Sequence, residues 1–345
     1  MSNGYGAADR YRRHERLAAW LRSVADEELL ELLSDPRLLD KGHAPVHLQR
    51  SNGTVFVKLL PLAALEMQPL HRHSTANIFG LPPYYQYRLG SCGFGAWREV
   101  EVHRLANEWV LSGQCMSFPL LHHWRVLPIA HSLEDDRVSL EWWGECPEIR
   151  ERVSAITEAT SSVVLFLEYI PQNLSEWLPD SLRQSSDPAA VVSGLEERLT
   201  GLLAFIHGQG LLHLDAHFGN VLTDGSQLYL TDYGLSVSRG FELGADERTF
   251  LEDHQSFDLC TAVNSLVHGV VTHYNSNDDW RQTLREMVAG GTGGNQILPD
   301  GIRSFLVQRA PLALAIGEFY ARLLQDLTTP YPAVAFEELL NARTG

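Results

Sequence analysis

Residues 212–235, reading LHLDAHFGNVLTDGSQLYLTDYGL, limit what this chain can be more than any other stretch. A carboxylate, Asp215, precedes a carboxamide, Asn220, and a second carboxylate, Asp232, stands directly before Tyr233-Gly234. An apolar run from Gln227 to Thr231 leads into that last Asp. The pattern is a short polar loop, a hairpin and an Asp-aromatic-Gly turn. Phosphoryl transfer from ATP needs an acid side chain to orient and deprotonate the acceptor hydroxyl. It also needs one or two hard oxygen ligands to hold Mg²⁺ against the phosphates. Taken singly, each Asp is an ordinary turn former; their joint spacing supplies all three parts and is a phosphotransferase signature.

These residues resemble the protein-kinase-like superfamily, which spans protein kinases and small-molecule kinases of the aminoglycoside and choline type. His213-Leu214-Asp215 looks like the family's catalytic-loop triplet, Asn220 like its magnesium Asn, and Asp232-Tyr233-Gly234 like its Asp-Phe-Gly turn. The resemblance implies that Asp215 is the base or acceptor-positioning group and that Asn220 and Asp232 are metal ligands. It implies ATP and Mg²⁺ as cofactors. The implied fold class is α+β and two-lobed: a small antiparallel sheet lobe with one main helix, then a larger, mostly helical lobe.

Upstream, residues 11–33 carry apolar side chains at helical spacing and predict one or two helices closed by Asp35-Pro36. Strand-like runs follow at 37–40, 45–49 and 54–60, the last two joined by the turn signal Ser51-Asn52-Gly53. In the third run Lys58 alternates into an apolar setting, where a lysine is expensive unless paired. An exposed edge-strand lysine is the ordinary alternative; the resemblance instead makes Lys58 the residue that bridges phosphates to a helical Glu. On the next predicted helix, GAWREVEVHRLANEWVL, both Glu99 and Glu101 qualify. Leu105, an apolar residue, lies one turn beyond Glu101 and His103 one turn beyond Glu99, but Glu99 matches the family's helix start and is the expected partner.

The loop 40–45 has a single glycine, Gly42, where protein kinases carry three; its backbone N–H groups are the expected phosphate contacts. Residues 162–170 form a continuous apolar strand entering a helix capped by Asn173 or Ser175. By the same resemblance this is the hinge between lobes. The backbone of Glu168, Tyr169 and Ile170 then meets the adenine edge, with Leu167 at the back of the pocket. The expected domains are an N-terminal helical extension (1–35), a nucleotide-binding lobe with insertions (36–170) and a catalytic, acceptor-binding lobe (171–345). The long loop 68–95 and the segment 134–160 read as insertions. Residues 184–193 read as a polar linker before a helix at 194–208. An Asp at 258, opening a buried helix, resembles the family's brace for the catalytic loop; an N-terminal helix charge is the plain alternative.

The formal net charge of −16 argues against a nucleic-acid partner, which would draw on clustered Lys and Arg. No run resembles a signal peptide or membrane span, and four scattered cysteines lack metal-ligand spacing, so a cytoplasmic protein with no membrane partner is expected. The glycines at 290–294 lack a following Lys-Ser/Thr and are no P-loop.

Departures from the protein-kinase pattern bear on the acceptor. Leu214 replaces the Arg of kinases switched by a phosphorylated loop, His217 stands where they place a Lys, and no Ala-Pro-Glu element lies between Gly234 and Asp258. A Ser/Thr hydroxyl of a protein or peptide is the expected acceptor, favoured by the Asp-Tyr-Gly and hinge wording. A small-molecule alcohol is the alternative. A pseudokinase scaffold is the third possibility, against which stands the joint presence of Lys58, Asp215, Asn220 and Asp232.

Overall fold

The computed structural model describes residues 7–34, 36–48, 53–130, 143–275, 279–291 and 298–342. By packing, the chain divides into two units: Met1–Pro171 with Tyr229–Arg248, and Gln172–Leu228 with Thr249–Gly345. The plan of elements is α+β, with a small antiparallel sheet and several helices in the first unit and mostly helices in the second.

Helices α1 (Ala7–Ser23), α2 (Asp26–Leu32) and α3 (Pro36–Lys41) open the first unit. Strands β1 (His43–Leu48), β2 (Gly53–Pro61), β3 (Leu121–Leu127) and β4 (Ser162–Glu168) form an antiparallel sheet in the order β1-β2-β4-β3. Alternation along β2 decides where Lys58 goes, because successive side chains point to opposite faces. Val55, Val57 and Leu59 pack with Leu17, Leu21 and Leu29 of α1 and α2. Phe56 and Leu60 lie on the other face, with Ala96, Trp97 and Val100 of α4 (Ala96–Leu111). Lys58 shares that parity. Strand β4 is covered on both faces, Val164 and Phe166 on one and Val163, Leu165 and Leu167 on the other, which explains its unbroken apolar run.

Two expectations about the start of the sheet are corrected. Residues 37–40 are helical, not a strand: Pro36 stands at the first helical position, and Leu38 is fully buried among the side chains of α1 and α2. Gly42 therefore lies between a helix and a strand rather than between two strands. At φ 70° it takes the left-handed conformation that closes α3, and its N–H donates to the Leu38 carbonyl at 2.8 Å. Its carbonyl accepts from Leu59 N at 2.6 Å. Gly42 thus caps a helix and spends its amide there, instead of turning it to phosphate. The Ser51-Asn52 turn lies outside the described residues, but the flanking strands pair from His43↔Lys58 to Leu48↔Gly53.

The insertions are structural. Residues 68–95 bury Phe79, Tyr85, Tyr87 and Phe94, and α5 (Pro147–Thr157) buries Ile149, Arg152 and Ile156; residues 134–142 lie outside the description. The segment Tyr229–Arg248 belongs with the first unit, not with 171–345 as expected. The ion pair Lys58–Asp232 and hydrogen bonds from Ser74 and Thr75 to Glu242 tie it there.

In the second unit β5 (Gln172–Asn173) leads into α6 (Leu174–Gln184), capped by Asn173 Oδ1 accepting from Glu176 N at 3.0 Å. The expected linker is mostly helix, since α7 (Pro188–Gly208) begins at Pro188 with Asp187 as its cap. Strands β6 (Leu211–Leu212), β7 (Val221–Thr223) and β8 (Leu228–Leu230) bracket the Asp215 loop and the hairpin, β5 pairing with β7; β9 (Val237–Ser238) follows Gly234. The division between units runs through α8 (Ala245–Asp253). The buried helix α9 (Phe257–Tyr274) is the centre of the second unit, packed by α6, α7, α10 (Trp280–Val288) and α11 (Asp300–Leu323), with α12 (Ala333–Asn341) on α11. Part of the loop 290–294 lies outside the described residues. Among those residues no helix is long and apolar enough to cross a membrane.

Candidate active site

The first unit builds a cation between two carboxylates. Lys58 Nζ lies 2.5 Å from Glu99 Oε1 and 2.8 Å from Asp232 Oδ1. Glu99 stands in the first turn of α4, facing β2; Glu101 turns away to pair with Arg104 on the exposed side of the helix. Burial alone would pull the ammonium's pKa down, but the charges of Asp232 and Glu99 outweigh it and hold Lys58 above its ordinary value. Lysine therefore stays protonated here at any physiological pH. Asp232 is half exposed, at 48 %, where Lys58 and Glu99 are largely covered.

The turn that presents Asp232 is strained. Asp232 takes φ 65°, a region costly for a residue with a Cβ and one that collects at functional positions. Tyr233 anchors the turn: its ring is fully buried, its hydroxyl donates to the Leu230 carbonyl at 2.6 Å, and burial raises its pKa well above the usual phenol value. The Tyr233 ring meets His103 edge-on at 4.6 Å between centroids. His103 is the residue one turn after Glu99; burial lowers its pKa, so it packs as a neutral ring. Gly234 is crossed by the loop before α4. A Cβ on Gly93 would stand 2.2 Å from the Gly234 carbonyl oxygen, and Gly93 itself has φ 73°.

In the second unit the loop carrying Asp215 is held by a buried acid. Asp258, fully buried in the first turn of α9, accepts from the backbone N–H groups of His213 and Leu214 at 2.7 Å each, and from His207 Nε2 at 3.0 Å. Burial would raise the Asp258 pKa; the hydrogen bond and charge of His207, with His213, bring it below the ordinary carboxylate value. Leu214 sits at φ 62°, a conformation that costs an L-residue roughly 1–2 kcal/mol. Two charge-assisted bonds hold the two successive peptide groups that lead into it.

Within the loop, Asn220 Nδ2 donates to Asp215 Oδ2 at 2.9 Å and to the Asp215 carbonyl at 3.0 Å. That commits the amide nitrogen and turns the side-chain carbonyl Oδ1 the other way, the orientation a cation ligand needs. His217 Nε2 lies 3.7 Å from Asp215 Oδ1, and His217 Nδ1 accepts from Gly219 N at 2.9 Å.

The adenine residues expected on β4 have clear places. Leu167 is buried in the α4-side core. Glu168 spends its carboxylate on Arg10 of α1, which binds it through Nε at 2.9 Å and Nη2 at 2.7 Å, and on Leu120 N at 3.1 Å. Tyr169 and Ile170, past the strand end, are half-buried.

Mg²⁺ takes one or two protein oxygens and completes its shell with phosphate and water. Asp232 in the first unit, exposed enough to be reached, is a hard donor of that kind, and in the second unit so is the Oδ1 of Asn220. Among the described residues no cluster of three His, Cys, Asp or Glu forms a self-sufficient metal cage. Nothing in the sequence marked Gly93, Arg98, Glu247, Glu66, Arg152 and Arg10 at the site; the one signal it held was His103, one turn after Glu99.

No family model matches the chain, and no curated protein matches its sequence. Among solved structures it is similar to the crystal structure of the Legionella pneumophila LegK7 effector kinase, at 11 % identity and a TM-score of 0.45, covering 95 % of this chain and 68 % of that one.

Proposed function

We propose that this chain is a Mg²⁺- and ATP-dependent kinase that transfers a γ-phosphoryl group to a hydroxyl, that of a protein or peptide Ser/Thr. The observation that carries the proposal is Lys58, held protonated between Glu99 and Asp232. A buried ammonium has three donors; here two meet carboxylates, and a phosphate oxygen is the natural partner for the third. Glu99 fixes the lysine side chain so that its charge is already in place before nucleotide arrives.

Asp215 takes the chemical role. Its carboxylate receives the hydrogen bond of the acceptor hydroxyl, aligns that oxygen with the γ-phosphorus and takes its proton as the new P–O bond forms and the β–γ bridge breaks. The hydrogen bond from Asn220 keeps the carboxylate in one rotamer. Asn220 and Asp232 would hold the metal, which supplies positive charge to the β- and γ-phosphates. Nothing here forms a covalent intermediate, so positioning and charge do the work. Leu167, Tyr169, Ile170 and the Glu168 backbone are the proposed adenine contacts. The net charge of −16 fits no nucleic-acid partner.

One observation favours a second acceptor class. His217 faces Asp215, at 3.7 Å, from the position where protein kinases place a lysine, which suits a small-molecule alcohol.

The test combines labelled ATP with a protein acceptor pool and a pool of small alcohols. Asp215→Ala should abolish transfer and leave nucleotide binding intact, whereas Asp232→Ala should weaken Mg-ATP binding as well. Saturation to 100-fold over Kd stabilises a binding-competent chain by about 2.7 kcal/mol, a melting-temperature rise of roughly 5–10 °C. No rise with Mg-ATP would refute the proposal; transfer only to small alcohols would replace its acceptor.

A further inference from the structure

Helix α4 brings Glu99 to Lys58, and its N-terminal end is fastened at two points that phosphoryl transfer itself does not require. At the first, Glu66 takes the place of a capping side chain, which Gly95 cannot supply. Its Oε1 accepts from Ala96 N at 2.7 Å, its Oε2 from Ala63 N at 3.1 Å, and its carbonyl from Trp97 Nε1 at 2.9 Å. Arg152 of α5 binds the same carboxylate at 2.7 Å and reaches the Gly93 carbonyl at 3.4 Å. Both charged side chains are buried, at 1 % and 3 % exposure.

At the second point Arg98, next to Glu99, turns to the segment after Gly234. Its Nη2 binds Glu247 Oε1 at 2.7 Å and its Nε the Thr75 carbonyl at 2.7 Å, with the guanidinium between the rings of Phe94 and Phe241. Glu247 also accepts from Gly244 N at 3.0 Å, which closes its own loop. This pair too is buried. The contrast on the same helix is Arg104, half exposed and paired with Glu101 and Glu108, a surface network of the kind that contributes little.

A helix that swings in and out must give up its contacts cheaply. Separating either buried pair leaves a charge stranded away from water, which is among the costlier changes a folded chain can undergo. Segments ordered by phosphorylation gain the anion that an arginine needs only when modified. Arg98 already has a carboxylate in that role. We infer that the buried pairs Arg98–Glu247 and Arg152–Glu66 pin α4 permanently, so that Glu99 stays on Lys58 in the unmodified chain without a phosphate or an activating partner. Arg98 and Glu66 are then positioning residues for the site proposed above, on which this inference rests.

The experiment uses the full chain, treated with phosphatase and checked by intact mass. Amide hydrogen exchange over residues 96–103 should be slow with and without Mg-ATP, and transfer should proceed at its full rate. Glu247→Gln should speed exchange there by about tenfold or more and lower kcat by a similar factor, with KM for ATP changed far less. Arg98→Lys, which keeps the charge opposite Glu247, should change both far less than Glu247→Gln does. Arg104→Ala should match wild type in both. Glu66→Gln tests the second clamp in the same way; if it fails to fold, Glu247→Gln decides alone. Unchanged exchange in Glu247→Gln, or a phosphatase-treated chain inactive until phosphorylated, would overturn the inference. A wild-type chain that transfers nothing to any acceptor would instead remove the kinase assignment, and the exchange data would still decide whether α4 is pinned.

Discussion

Asp258→Asn probes how the loop bearing Asp215 is held. The carboxylate is fully buried and accepts from two backbone N–H groups and from His207. Bonds to a charged acceptor each contribute about 1.5–3 kcal/mol. An Asn of the same shape has one acceptor oxygen and must turn its NH₂ toward a backbone donor or toward His207. At least one charged bond is lost and one donor faces another, a loss of about 2–4 kcal/mol. For a unit of this size that lowers the melting temperature by roughly 5–12 °C. Leu214, kept at φ 62° by these bonds, would be the first residue to relax, and Asp215 follows it directly in the chain. Transfer should therefore fall more than nucleotide binding. The pH dependence is a separate check. The folded-state pKa of Asp258 lies below its ordinary value, so its contribution is present above the unfolded pKa, near 3.9, and is lost as pH falls through the folded one. The gap between wild type and variant should shrink on acidification below about pH 4. Calorimetry from pH 7 to pH 3 and steady-state transfer at pH 7 measure both. A melting temperature and rate equal to wild type at neutral pH, or a gap that widens in acid, would refute the brace.

Gly93→Ala combines a left-handed φ with a methyl 2.2 Å from the Gly234 carbonyl, whereas Gly113→Ala has the same kind of φ (74°) and nothing within 4 Å. Gly113→Ala should cost about 1–2 kcal/mol and Gly93→Ala clearly more, with weakened Mg-ATP binding; equal melting temperatures would rule out the close approach. His254, stacked between Phe250 and Tyr331, is held neutral by burial, its pKa lowered from 6.5 to about 4. The unfolded chain takes up that proton first, so stability is lost as pH falls from 6.5 toward 4, by about 3 kcal/mol in all. His254→Phe should flatten the melting curve over that window, and parallel curves would contradict it. Lys58, kept charged by its two carboxylates, should resist amine-reactive labelling near neutral pH; Asp232→Asn should label faster, as read by peptide mass mapping.

What the sequence revealed about the site was local. The Asp215, Asn220 and Asp232 spacing is contained within one hairpin region, and the parity of Val55-Phe56-Val57-Lys58 follows from a period of two, so a paired Lys58 is legible in the sequence. The choice between Glu99 and Glu101 was not. Both stand on the same predicted helix, and only the direction from which β2 approaches α4 separates them. Residues 37–40 misled because a run of four with two leucines has no resolvable period, and Pro36 marks a helix start as readily as a break. Gly42 misled for a related reason: a lone glycine serves a helix end as well as a phosphate loop. The buried clamps were out of reach altogether. Arg98 and Glu247 are separated by 149 positions and Glu66 and Arg152 by 86, with no pattern linking either pair.

The fastening of the two units follows one physical scheme. In the second, a buried carboxylate on α9 binds two consecutive backbone amides and keeps Leu214 in a strained conformation beside Asp215. In the first, buried Glu66 binds the amides of Ala63 and Ala96, Glu247 binds that of Gly244, and Asp232 holds a strained φ beside Tyr233. Strain of this kind persists only where the surroundings over-determine it. A carboxylate on backbone N–H groups is well suited to that, since the bonds are charge-assisted and the amides they hold are fixed to the chain. Such a scheme also needs no added phosphate, because the anions are already part of the fold. Leu214 is buried at 1 % exposure and its N–H is held by Asp258. Two independent sites in the chain therefore carry a built-in carboxylate, and each keeps its own strained backbone in place as soon as its unit folds.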